Sequence, residues 1–214
     1  MLETIVQGRL MMIPLMICSV MALAVMIDRA IAFHRNAAAV DTRALRAQLM
    51  KLLREGKLKD AGLLCVNTPG PVSAVLLAGL QSFVNLEKRN PEYLRMTVGG
   101  AMDDHTLHSM GAVEKRLWIL TTVGNAAPLF GMAGTVLGMI KSFEKLAQMA
   151  DTSQVAVGIS EALITTGAGL LIALFAVIPF NIFSSMAEDI ELEIEEASSE
   201  MLNFLASRAE QEGN

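Results

Sequence analysis

The chain has 214 residues, of which 53% are hydrophobic and 18% charged, with a mean hydropathy of +0.46 and a formal net charge of -5. That balance is too apolar for a wholly soluble domain, and an acidic chain lacks the electrostatic footprint of a nucleic-acid binder. With no phosphate-binding glycine loop, nucleophile elbow or placeable triad, the sequence gives no support for an enzyme, and neither a metal nor a cofactor is expected.

The first apolar stretch, residues 10–27, carries no charge between Arg9 and Asp28. About 20 such residues cross a bilayer as a helix. A secretory signal is the alternative, because Ala22-Leu23-Ala24 offers a cleavage-like spacing. The basic flank Arg29, Arg35, Arg43 and Arg46 argues against it by holding the following segment inside, and the first few residues are not basic. Residues 1–33 are therefore assigned to a periplasmic N-terminal end and transmembrane helix 1.

Residues 34–115 are expected to form a cytoplasmic helical region. Leu45, Leu49, Leu52 and Leu53 give residues 41–55 an amphipathic pattern that stops at Gly56. A short helix over 58–66 ends at Asn67-Thr68-Pro69-Gly70-Pro71, and another follows over 72–86. After Asn90-Pro91 no proline appears until Pro128, which predicts one long helix from about residue 92 to 144, with Gly99-Gly100 and Pro128 as weak points. His105 and His108, beside Asp103 and Asp104, are too few for a metal site and read as an exposed helix face. Cys18 and Cys65 lie at different levels and read as packing residues in a reducing compartment.

The second apolar run, 117–140, lies between Arg116 and Lys141 and places transmembrane helix 2 over 116–147. A periplasmic loop is expected over 148–154. Transmembrane helix 3 covers 155–187, interrupted only by Glu161, and a cytoplasmic C-terminal helix covers 188–214. The acids Glu188, Asp189, Glu191, Glu193, Glu195 and Glu196 read as a solvated face, ahead of a docking surface for a basic juxtamembrane segment. Most of the 17 Lys and Arg residues lie between the first and second spans. The positive-inside rule then puts the N-terminus outside and the C-terminus in the cytoplasm.

Glu161 heads the third run beside Thr165 and Thr166, and Thr135 sits inside the second among Gly131, Gly134 and Gly138. Acids and hydroxyls at membrane depth usually face a bundle interior or a water-filled path, so these residues suggest an ion route. The glycines read as helix-packing positions, Gly134 and Gly138 having the small-xxx-small spacing. For any one threonine, the competing reading is a hydrogen bond to a carbonyl one turn back or across a helix interface. That reading is weaker for Glu161, since an acid near the membrane needs a partner.

Residues 127–143, Ala-Pro-Leu-Phe-Gly-Met-Ala-Gly-Thr-Val-Leu-Gly-Met-Ile-Lys-Ser-Phe, resemble the second-span signature of the MotA/TolQ/ExbB proton-channel family. Residues 158–170, Gly-Ile-Ser-Glu-Ala-Leu-Ile-Thr-Thr-Gly-Ala-Gly-Leu, resemble its third-span signature, with Pro179-Phe180-Asn181 closing in the same style. The match is closest to the ExbB and TolQ branch. The resemblance implies an all-α, ring-forming homo-oligomer, a pentamer in the family, with three transmembrane helices and long cytoplasmic helical extensions. It implies a stator subunit of the bacterial inner membrane that contacts lipid and surrounds an ExbD- or TolR-like single-span partner. Such a subunit uses the proton motive force to act on a TonB- or TolA-like effector, with no role for nucleic acid. By position, Thr135, Glu161 and Thr166 correspond to the family's polar channel-facing residues, whereas Thr165 departs from a commoner small apolar residue. Thr166 lies about 140° round the helix from Glu161, so the two cannot point at one lumen. Thr135 and Thr166 are ranked as pore lining and Glu161 as relay or gate, with a hydrogen bond from Glu161 to a neighbouring subunit as the competitor. The alternative function is a non-conducting scaffold.

Overall fold

The computed structural model describes residues 11–39, 41–86, 90–149 and 152–212. Their regular elements are seven helices: α1 Met12–Ala39, α2 Thr42–Arg54, α3 Leu58–Asn67, α4 Pro71–Val84, α5 Pro91–Val113, α6 Leu117–Met149 and α7 Thr152–Glu212. They divide between two compact units, one of Met1–Ala30 with Arg116–Phe183 and the other of Ile31–Lys115 with Ser184–Asn214.

Among the described residues, three helices are long and apolar enough to cross a membrane: Met12–His34, Leu117–Glu144 and Val155–Gln211. The last, at 57 residues, extends about 85 Å at 1.5 Å per residue, nearly three times a bilayer's hydrocarbon thickness. Leu15 of α1 packs against Ala127 of α6 and Ala173 of α7, with Met12, Phe130 and Ile172 around them. Two alanines at this point let three backbones approach, which matters where lipid supplies no hydrophobic drive for helix association. The Asp28 carboxylate accepts hydrogen bonds from Arg29 (2.8 Å) and Arg116 (3.2 Å), tying α1 to the start of α6. Pro128 and Pro179 lie inside continuous helices, each removing one intrahelical donor.

The single helix expected from about residue 92 to 144 is instead two helices. The Glu114 N–H closes α5 on the Met110 carbonyl, Arg116 takes φ +68°, and the Ile119 N–H opens α6 on the Arg116 carbonyl. A left-handed arginine cannot continue a right-handed helix. Neither Gly nor Pro occurs between residues 112 and 118, so nothing in the sequence marks this break, while Gly99 and Gly100 lie within an unbroken α5. The expected loop over 148–154 is shorter, because α6 runs to Met149 and α7 begins at Thr152; residues 150 and 151 lie outside the described residues.

The second unit is a helical bundle with an ordinary apolar core. The Asp41 side chain caps α2 by accepting from the Arg43 and Ala44 N–H groups, and α2 buries Leu45, Leu49, Met50 and Leu53. Gly56, at φ +74°, supplies the turn before α3. Pro71 opens α4, where the Ser73 hydroxyl bonds the Thr68 and Gly70 carbonyls. Asn90 caps α5. The C-terminal half of α7 contributes Ile194, Ala197, Met201, Leu205 and Ala206 to the core. A Cβ on Gly79 would lie 2.6 Å from Met201 Cε and 2.7 Å from Met102 Sδ, so α4 meets α5 and α7 closely there. Glu188, Asp189, Glu191, Glu195 and Glu196 are exposed, as expected of a solvated face, and Glu196 also pairs with Arg46 at 2.7 Å, as does Glu200 at 3.0 Å. The Arg208 guanidinium also donates to the Leu53 carbonyl at 3.0 Å.

Two outcomes follow from this packing. Gly79→Leu should overpack the α4 contact and destabilise the unit by about 1–3 kcal/mol, read as a lowered thermal midpoint in mild detergent. Burial pushes the Cys65 thiol up to about 11, which leaves roughly a hundredfold less thiolate at pH 8 than the ordinary value of 9.0 would. Native Cys65 should therefore resist maleimide at pH 8 and react rapidly once the protein is unfolded.

Candidate functional site

Within the first unit, α6 and α7 run antiparallel along a seam of small side chains. Rising positions on α6 meet falling positions on α7: Gly124 faces Val177, Gly131 faces Thr165 and Thr166, Gly134 faces Thr165, Gly138 faces Ala162, and Ser142 faces Gly158. A Cβ on Gly131 would stand 3.0 Å from Thr166 Cα, and one on Gly169 would stand 2.6 Å from the Ala127 carbonyl oxygen. These are backbone atoms, which cannot swing aside as the tip of a side chain can. On Gly134 and Gly138, the added atoms would meet Thr165 Cγ2 at 2.6 Å and Ala162 Cβ at 2.8 Å.

The seam decides what each hydroxyl does. Thr166 Oγ1 donates across the interface to the Gly131 carbonyl at 2.8 Å, a bond possible only because Gly131 admits the α7 backbone so closely. Thr165 is 5% exposed, with its methyl group on Gly134 and its hydroxyl bonded to the Glu161 carbonyl one turn back at 3.0 Å. Thr135, half-buried beside the seam, donates to the Met132 carbonyl at 2.7 Å. Each of the three threonines therefore donates to a backbone carbonyl, which leaves its oxygen lone pairs as acceptors. Glu161 is half-buried, and among the described residues its carboxylate makes no hydrogen bond or ion pair. Thr165 and Thr166, adjacent in sequence, divide between the seam interior and the cross-helix bond. The geometry gathers Gly131, Gly134, Thr165 and Thr166 into one contact and leaves Thr135 and Glu161 at its margins.

Several seam positions were not singled out from the sequence. Gly124, Ala127, Gly158 and Gly169 belong to it, as does buried Ser142, whose hydroxyl bonds the Gly138 carbonyl at 2.9 Å. The recurrence of small residues at 124, 127, 131, 134 and 138 was the available signal, since steps of three and four keep one helix face. Asn125, an exposed amide inside the apolar run, was also overlooked. Among the described residues, no group of three or more His, Cys, Asp or Glu side chains is placed to hold a metal ion.

A matched pair of substitutions tests the seam. Gly169→Ala drives a methyl group into the Ala127 carbonyl, whereas a Cβ on Gly167 meets nothing within 4 Å. Gly169→Ala should lower the detergent-denaturation midpoint, at a cost of about 1–3 kcal/mol. Gly167→Ala should leave it unchanged or raise it slightly.

Residues 67–196 match the sequence model of the MotA/TolQ/ExbB proton channel family. The biopolymer transport protein ExbB of Pseudomonas putida is 27% identical over 176 residues, covering 80% of this chain and 53% of that protein. The Tol-Pal system protein TolQ of Pseudomonas aeruginosa is 38% identical over 122 residues, covering 55% of this chain and 53% of TolQ. An ExbB-like biopolymer transport protein of Synechocystis is 30% identical over 193 residues, covering 86% and 71%. The match thus spans about half the length of the first two relatives. The matched residues include both the seam and Glu161, and the chain belongs to the MotA/TolQ/ExbB proton channel family, in its ExbB/TolQ branch.

Proposed function

We propose that this chain is the proton-channel, stator-type subunit of an energy-coupling complex in a bacterial inner membrane. In this reading it forms a closed homo-oligomer, a pentamer by family likeness, around an ExbD- or TolR-like single-span partner. Proton entry then drives a TonB- or TolA-like effector. The observation that carries the reading is the Glu161 carboxylate, which sits on an apolar helix beside a glycine seam with no partner among the described residues of its own chain. An acid so placed calls for water, a proton or a group from another chain. Thr135 and Thr166 would add acceptor lone pairs along the route, while Thr165 would hold the seam. The proposed topology has a periplasmic N-terminus, residues 34–115 and 188–214 in the cytoplasm, and a short periplasmic connection between the second and third spans.

A specific observation favours a second reading. All three threonine hydroxyls are already bonded to carbonyls, as in a scaffold that packs without conducting. Shape-preserving variants separate the two. Thr135→Val and Thr166→Val should leave assembly intact and abolish the work done by the complex, and Glu161→Gln should reduce it on the order of 10²-fold, since the amide hydrogen-bonds but does not titrate. Normal assembly with wild-type energisation in all three variants would establish the scaffold reading instead. Topology is checked separately in spheroplasts, where a cysteine replacing Thr152 should react with an impermeant thiol reagent and one replacing Lys57 should not.

A further inference from the structure

The outer face of α6, turned away from the seam, is covered by nothing within the described chain. Leu129, Met132 and Val136 are 61%, 51% and 52% exposed, and Asn125 precedes them on the same face at helical spacing. Asn125 is exposed and makes no hydrogen bond among the described residues. Lipid cannot satisfy an amide, so a polar side chain there belongs against protein or water. On α1, Ser19 is likewise exposed and unbonded, between Met16 at 57% and Val20 at 67% exposure.

The two groups lie at nearly the same height. α1 runs against α6, since Leu15 clusters with Ala127 and Asp28 bonds Arg116. Asn125 stands two residues from Ala127 toward Arg116, level with residues 17 to 18 of α1 and within about 3 Å in height of Ser19 at 1.5 Å per residue. Rotation about an axis normal to a membrane preserves the height of every atom. Two polar groups at one height on different helices of a protomer can therefore meet across the head-to-tail contact of a closed ring.

We propose that the outer face of α6 docks on α1 of a second copy of this chain, with the Asn125 amide hydrogen-bonded to the neighbour's Ser19 hydroxyl. The amide offers both donor and acceptor, as does the hydroxyl, so the pair satisfies itself without lipid or water. Leu129, level with residue 13 of α1, then lies against the neighbour's exposed Ile13 and Met16 side chains. This contact rests on the ring reading above and supplies the surface that builds the ring.

The test is disulfide trapping in native membranes. Full-length chains carrying Cys18→Ala and Cys65→Ala are co-expressed with two different tags, one bearing Ser19→Cys and the other Asn125→Cys. Mild oxidation should join the differently tagged chains roughly tenfold more than a Ser19→Cys and Val136→Cys control, whose groups lie about 19 Å apart in height. Native mass spectrometry of the same preparation reports the oligomer. An intact oligomer with no cross-linking above the control overturns the proposed contact and leaves the ring standing. A strictly monomeric species overturns both.

Discussion

The close approach of α6 and α7 is the constraint on which the first unit depends. Helices in lipid gain nothing from burying apolar surface against each other, so they associate only where backbones fit well enough to improve on contacts with lipid. Gly131 and Gly169 meet backbone atoms of the facing helix at distances that leave no room for a methyl group. That proximity brings the Thr166 hydroxyl within bonding reach of the Gly131 carbonyl and seats Thr165 on Gly134. It also fixes the rotation of α7, and so keeps the half-buried Glu161 at the edge of the seam rather than inside it. Moving the acid by one position would turn it about 100° round the helix.

The second unit is held together differently. Its helices are capped by Asp41 and Asn90, punctuated at Gly56 and Gly70, and closed over leucine, valine and methionine side chains as in a water-soluble bundle. Arg46 gathers two carboxylates of α7, and Arg208 reaches a backbone carbonyl at the end of α2. Exposed ion pairs contribute little energy on their own, so these contacts serve register more than stability. Helix α7 contributes residues to both units, supplying Thr165 to the seam of one and Met201 to the core of the other.

Much of this was legible in the sequence because the signals are local. Uncharged runs between Arg9 and Asp28 and between Arg116 and Lys141 mark two spans, and Asp41, Gly56, Pro71 and Asn90-Pro91 punctuate the second unit near the observed boundaries of α2 to α5. The break at Arg116 was not legible, because a left-handed arginine is imposed by its surroundings and carries no compositional mark. The phase of each polar residue was equally hidden. Thr165 and Thr166 are chemically identical neighbours, and only the position of α6 decides that one is buried while the other bonds across the interface. The ion pair of Glu196, which stays exposed, was also hidden, because Arg46 lies 150 positions away.

The central claim is that the seam presents Glu161 to a path for protons. The most direct measurement is proton flux into liposomes containing the purified chain together with the single-span partner proposed for it, under an imposed pH gradient. The account predicts flux through the wild-type complex and its loss in a fully assembled complex carrying Glu161→Gln. Flux at the wild-type rate through that variant would contradict it.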